Sequence, residues 1–231
     1  MSWLVPSVAG LSCLGAIVHG TYHRNSPVFG RVLHRLPGDG RQVALTFDDG
    51  PNAEATPRVL DALSTLGVRA TFFLLGRAVE RYPAIAHRVV DEGHSVGNHG
   101  YAHRKLHTLS PAAIYTDLAR GAEAIRDACG VRPRLFRAPH GFRNPWVSSI
   151  ARGLGESTVG WTLGVWDSDR PGAGVIAQRV IHGARRGSIV LLHDGDGYDL
   201  DGDRRQTADA LPQIVAGLRE VGFALVSLPM L

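Results

Sequence analysis

Two adjacent aspartates, Asp48-Asp49, and two histidines four residues apart, His99 and His103, are the residues best suited to holding a metal ion and working a water molecule beside it. Two imidazoles and one carboxylate leave a coordination position open, which is the layout of catalytic rather than structural zinc sites. The aspartates close the run Val43-Ala-Leu-Thr-Phe-Asp48-Asp49-Gly-Pro51, in which β-leaning residues give way to a Gly-Pro turn. Side chains alternate between the faces of a strand, so both carboxylates reach one site only where the strand frays, and their jobs should be unequal. Taken singly, Asp-Asp-Gly-Pro reads as a solvated turn, and His99-x3-His103 as a surface pair stacked by one helical turn. Taken together, at two strand ends, they point to a metal.

The elements that must position these residues are legible from pattern. Leu36-Pro-Gly-Asp-Gly40 marks a loop, and strands follow at 42–47, 70–75, 94–98, 134–137, 157–163, 188–192 and 223–227. Helical stretches between them cover 56–66, 82–92, 111–129, 144–154, 175–184 and 206–221. Strands alternating with helices predict a parallel sheet. Polar residues follow most of the strands: Asp48-Asp49, His99 and His103, Arg137, Asp167 and His193. An open sheet gathers its site at one switch point, whereas a barrel draws on many strand ends around one rim. The expectation is an incomplete, seven-stranded (β/α) barrel over 41–231, preceded by an apolar segment and lead-in over 1–40.

Composition fits one sizeable domain: 231 residues, 44% hydrophobic and 20% charged. The net charge of +4 comes from scattered arginines, with Lys105 the one lysine, so no nucleic-acid partner is expected and only a mild pull toward anionic envelope polymers remains. Cys13 and Cys129 fit neither a metal spacing nor a disulfide framework. The stretch from Trp3 to Val18 is apolar but interrupted by Pro6, Ser7, Gly10 and Ser12, and it lacks a basic start; a degenerate signal, a membrane-associated anchor and a helix packed on the domain all fit it. A monomer at the cell envelope, or secreted, is expected.

The ordered phrases Thr46-Phe-Asp-Asp-Gly-Pro51, Ala70-Thr-Phe-Phe73, Gly97-Asn-His99-x3-His103, Arg137-Ala-Pro139 and Leu191-Leu-His193 resemble the polysaccharide deacetylase family with the NodB homology domain, carbohydrate esterase family 4, from about Arg41 to Leu228. The resemblance implies a distorted (β/α)7 barrel. It also implies that Asp49, His99 and His103 bind zinc, or cobalt, nickel or manganese, with Asp48 as general base and His193 as general acid. Arg137 would hold the base as a carboxylate. Asp167, with Asp169 as the alternative, would orient that arginine and keep His193 charged. Pro139 belongs to the Arg-x-Pro phrase, the backbone N–H of His140 would serve the oxyanion, and Leu191 would line the acetyl pocket. The implied reaction removes N-acetyl groups from amino sugars of peptidoglycan or chitin-like chains, leaving amine and acetate. An acetylxylan-type O-acetyl esterase and a non-catalytic saccharide-binding relic are the alternatives.

Two departures stand out. His140 replaces a frequent Tyr, and Trp166-Asp167-Ser168 replaces the usual Asp-Trp order, which suggests a rebuilt pocket wall. The acidic stretch from Asp194 to Asp203 fails the EF-hand pattern at Arg204 and reads as a flexible rim loop that attracts the product amine. His19, His23, His34, His87, His94, His107 and His182 fall outside the motifs.

Overall fold

The computed structural model describes residues 4–229; Met1 to Trp3, which open the apolar segment, and the last two residues of the 41–231 span lie outside it. After helix α1 (Leu4–Tyr22) come β1 (Gln42–Asp48), α2 (Ala55–Leu66), β2 (Thr71–Leu74), α3 (Gly76–Arg81), α4 (Pro83–Asp91), β3 (Ser95–Asn98) and α5 (Pro111–Cys129). The chain continues through β4 (Leu135–Phe136), α6 (Val147–Gly153), β5 (Ser157–Thr158), β6 (Leu163–Gly164), α7 (Ala173–Gly183), β7 (Ser188–His193), α8 (Arg205–Glu220) and β8 (Ala224–Val226). Among the described residues the strands form one parallel sheet in the order β5-β4-β3-β2-β1-β7-β6, with β8 added against β1. The two ends, β5 and β6, do not pair, so the sheet is a half-barrel clothed in helices.

Strand parity explains both sides of this sheet. Val43, Leu45 and Phe47 of β1, with Val190 and Leu192 of β7, pack outward beneath α2, α7 and α8 in the main core. Ala44 and Ile189 face inward with Phe73, Leu135, Val159 and Leu228. The next inward positions, Thr46 and Asp48 opposite Leu191 and His193, carry the site. Helix ends follow their caps: Ser110 accepts from the Ala113 N–H before α5, and Gly67 closes α2 at φ 62°.

Two expected elements divide. The single strand expected at 157–163 becomes β5, paired with β4, and β6, paired with β7, because the chain crosses the barrel seam between them. The lead-in fills that seam: Leu33 pairs with Val159, Arg35 with Ser188, and the Leu36 N–H donates to the Gly187 carbonyl at 2.9 Å. Likewise the helix expected at 82–92 is preceded by α3, and Pro83 forces Tyr82 out of the helical region (φ −129°, ψ 56°) between α3 and α4. Side chains 12–19 of α1 are exposed, and His19 Nδ1 meets the Ser26 hydroxyl of the lead-in at 2.9 Å. Among the described residues no helix is long and apolar enough to cross a membrane. Both cysteines are free, Cys13 exposed and Cys129 buried.

Candidate active site

Asp48 ends β1 and Asp49 lies one residue beyond, with φ at 75°. That left-handed turn cancels the alternation that would separate neighbouring side chains, and it brings both carboxylates to one place. His99 follows β3. His103 follows a bend and itself sits at φ 54°, so the helical turn expected to stack the two imidazoles is absent; backbone strain aligns them instead. The rings lie 5.3 Å apart at 48°. One Asp49 oxygen is 3.4 Å from His99 Nε2 and 3.3 Å from His103 Nε2, and candidate ligand atoms of the three buried residues all fall within 4.8 Å of one another.

This trio fits a divalent cation on its own geometry. Asp49 Oδ1 is buried without a hydrogen-bond partner, which is costly unless something else satisfies it. His99 Nδ1 lies 2.8 Å from the Arg137 carbonyl, which can only accept; the proton of the neutral ring therefore sits on Nδ1, and Nε2 offers its lone pair to the centre. Burial pushes the Asp49 carboxyl up, but the His103 and His99 imidazoles outweigh it and hold the group well below the usual carboxylate range. For His103 burial wins, with His99 adding to it against Asp49, and its pKa falls to about 4, leaving a neutral ligand.

Asp48 is wired differently. Arg137, fully buried, donates from Nη1 to Asp48 Oδ1 at 2.6 Å and to Thr46 Oγ1 at 2.8 Å, and from Nη2 to the Gly160 carbonyl at 3.0 Å. Its guanidinium centre lies 4.1 Å from the Phe73 ring centroid. No hydrogen bond links Arg137 to Asp167, contrary to expectation. Asp167 instead serves His193 alone of the two: Oδ1 meets His193 Nδ1 at 2.9 Å, while Oδ2 accepts from the His193 N–H at 2.8 Å and the Thr207 hydroxyl at 3.0 Å. The seam separates β6, which leads to Asp167, from β4, which leads to Arg137, and Gly160 takes the arginine's outer arm. Asp169 is exposed, so Asp167 is the acidic residue beside His193. Burial opposes charge on His193, yet Asp167 dominates and raises its pKa to about 9.

These groups open onto a cleft of about 610 Å³. Leu191 and His140 line it, and Pro139, buried, starts the turn that sets His140 at φ 60°. The His140 N–H makes no hydrogen bond among the described residues, so it remains available as a donor. Trp166, at φ 55° and 70% exposed, stands on the rim beside Asp167, where the reordered motif suggested a rebuilt wall. The acidic loop is committed elsewhere: Asp196 pairs with Arg204, Asp201 with Arg81 and Asp203 with Arg205, while Asp199 accepts a backbone N–H. Three of its carboxylates thus have arginine partners within the fold, and among the described residues Asp199 has none. Tyr198 from that loop reaches His140 Nε2 at 2.9 Å, and a Cβ on Gly197 would collide with the His103 ring at 2.3 Å.

Sequence reasoning missed Thr46, Thr207, Trp161, Tyr198, Tyr22 and Arg24. Strand parity could have found Thr46, two residues before Asp48. Nothing local assigns the others a role; tertiary contact alone brings Trp161, Tyr198, Tyr22 and Arg24 to the cleft and Thr207 to Asp167.

The geometry agrees with comparison to known proteins. The polysaccharide deacetylase family model matches residues 35–159. A chitooligosaccharide deacetylase from Bradyrhizobium sp. (strain ANU 289) is 39% identical over 198 residues, covering 83% of this chain and 90% of the relative. The solved peptidoglycan N-acetylglucosamine deacetylase Bc1960 superposes with a TM-score of 0.79 at 33% identity, covering 86% of this chain and 91% of that one. A mutant of the CE4 family pseudoenzyme BA3943 of Bacillus anthracis, with restored activity, superposes at 0.76 with 34% identity, covering 84% and 68%. The same scaffold thus exists with and without catalysis, and the side chains decide. The half-barrel, the ordered motifs and these relatives place the chain in the polysaccharide deacetylase family, carbohydrate esterase family 4.

Proposed function

We propose that this chain is a divalent-metal-dependent deacetylase that hydrolyses N-acetyl groups of amino sugars in peptidoglycan or chitin-like oligomers, yielding free amine and acetate. One observation carries the reading: Asp49, His99 and His103 converge beside Asp48 on Arg137 and His193 on Asp167, all facing one cleft. The relatives' N-acetylglucosamine substrates support the amide. Neither an O-acetyl ester preference nor a non-catalytic binding role has an observation in its favour.

A cation on Asp49, His99 and His103, with zinc the first choice for this donor set, would polarise the acetyl carbonyl and acidify a water. Asp48 takes the proton of that water. Arg137 aims Asp48 through its bond to Oδ1. The free His140 N–H donates to the oxygen on which negative charge develops. His193, held as imidazolium by Asp167, then protonates the nitrogen, without which the amine cannot depart. Leu191 fills the space beside the acetyl methyl, and Pro139 stiffens the turn that presents His140.

Placement at the cell envelope follows from the peptidoglycan reading. The exposed Leu14, Ile17 and Val18 of α1 support a membrane-associated N-terminus, on a chain that works as a monomer over its 41–231 domain. The test is acetate release from chitooligosaccharides, peptidoglycan and acetylxylan side by side, with zinc and with chelator. Zinc-dependent release from the first two is expected. Release from acetylxylan alone, or undiminished release under chelation, would sink the reading.

A further inference from the structure

Two arginines line this cleft and a third, Arg137, lies buried behind Asp48, and they differ in what neutralises them. Arg137 is paired with Asp48. Arg204 places Nε on the Gly195 carbonyl, Nη1 on the Ser168 carbonyl and Nη2 on Asp196, so its donors are spoken for. Arg24 is different. It comes from the lead-in just after α1 and lines the cleft, with Nε donating to the Trp161 carbonyl at 3.2 Å. Among the described residues its two terminal nitrogens have no hydrogen-bond or ion-pair partner. A half-buried planar cation with two unused donor arms suits a carboxylate, which such a fork binds through two parallel hydrogen bonds.

Its position relates it to the chemistry. The guanidinium centre of Arg24 lies 5.3 Å from the Trp161 ring centroid, and that of Arg137 lies 5.6 Å from the same centroid. Arg24 thus shares one indole with the arginine that holds Asp48. Its Cβ also lies against Gly141, the residue after His140: a Cβ on Gly141 would come within 2.8 Å. The segment is firmly held. Arg143 donates to the Thr21 and Ser26 carbonyls at 3.1 and 2.7 Å, and Asn25 exchanges two hydrogen bonds with the Trp161 backbone at 2.9 and 3.3 Å. Asn25 thus shares with Arg24 Nε the work of holding the lead-in on Trp161, which leaves the two terminal nitrogens of the guanidinium free for another task.

Resting on the deacetylase reading of the same cleft, we propose that Arg24 binds a carboxylate carried by the sugar next to the N-acetyl group being removed, so that the chain prefers acidic glycans such as peptidoglycan, with its lactyl carboxylates, over neutral chitin-like oligomers. The lead-in is then a specificity element of the site rather than a tether.

The full chain with zinc, as wild type, R24Q and R24K, is assayed for acetate release from a peptide-free peptidoglycan tetrasaccharide, its methyl ester and chitotetraose. Esterification should lower the wild-type kcat/KM about tenfold, chiefly through KM, as expected for loss of a charged hydrogen bond. In R24Q the acid and ester should become equivalent within about twofold, and R24K should fall between, because a point charge replaces the fork. An ester penalty equal in wild type and R24Q overturns the proposal. So does a wild type indifferent to esterification, an arm that decides the matter even where R24Q fails to fold. A wild type that releases acetate from none of the three substrates removes the deacetylase reading itself.

Discussion

Asp48 and His193 are register partners on the parallel strands β1 and β7, and each is tied to its own counter-charge, Asp48 to Arg137 at 2.6 Å and His193 to Asp167 at 2.9 Å. Each has its own partner on the same rim: Arg137 aims the Asp48 carboxyl group, and Asp167 holds His193 as imidazolium.

Asp48→Asn preserves size and the bond to Arg137 but cannot accept a proton. Acetate release should fall by about 10²–10⁴-fold, while zinc content, measured by atomic absorption on the dialysed protein, stays at the wild-type level. Undiminished turnover would remove Asp48 as the base.

The acid limb of the mechanism has a pH signature. His193 is raised to about 9, so it stays protonated through neutrality, and activity should decline as pH rises past that value. Asp167→Asn removes the main cause, and the alkaline limb of the pH–rate profile should shift down by about two units toward the ordinary histidine value near 6.5. The same sign holds for stability: the contribution of His193 is complete below about pH 6.5 and lost as pH climbs through about 9. An unmoved alkaline limb in Asp167→Asn would count against His193 as acid.

Metal dependence can be read without turnover. Chelator should lower the thermal midpoint and zinc should restore it, since a ligand bound to the folded state alone stabilises by mass action. His103→Ala should abolish that zinc-dependent shift, and a shift of wild-type size in the variant would exclude His103 as a ligand.

Gly97 acts on Asp48 through two intermediates. A Cβ there would meet the Phe73 ring at 2.5 Å, and Phe73 underlies Arg137, which holds Asp48. Gly97→Ala should cost about 1–3 kcal/mol of stability by overpacking and lower kcat more than it raises KM. Denaturant unfolding and steady-state kinetics together check this, and wild-type kcat would break the chain of contacts.

Glu156 sits beneath β3, where both carboxyl oxygens accept from Asn98 Nδ2, at 3.0 and 3.2 Å, and burial raises it to about 8. Between the unfolded value near 4.3 and about 8 the unfolded chain sheds this proton first, so folding loses stability as pH rises. Glu156→Gln should therefore raise the melting temperature at pH 8 relative to wild type and leave it nearly unchanged at pH 4. An equal effect at both pH values would contradict the assignment.

Much of this was already legible in the chain. Alternation of strands with helices and polar residues at successive strand ends implied a barrel with a rim site, because side-chain parity and helix periodicity are local properties. Asp48, Asp49, His99, His103, Arg137 and His193 carried motifs and Asp167 sat in a departure from one; six of the seven line the cleft, and Arg137 lies behind it on Asp48. Tertiary structure decided what depends on distance. Strand 157–163 split because the seam runs through it, and the lead-in was drawn across that seam by Leu33 and Arg35. Asp49 and His103 reached their partner through positive φ, a backbone state held by surrounding contacts rather than by residue type. Asp167 was expected on both Arg137 and His193 and meets only His193, since only the closed fold shows which counter-charge each group meets. Arg24 bore no motif at all; the free arms of its guanidinium matter because Trp161, more than a hundred residues away in sequence, brings it to the cleft.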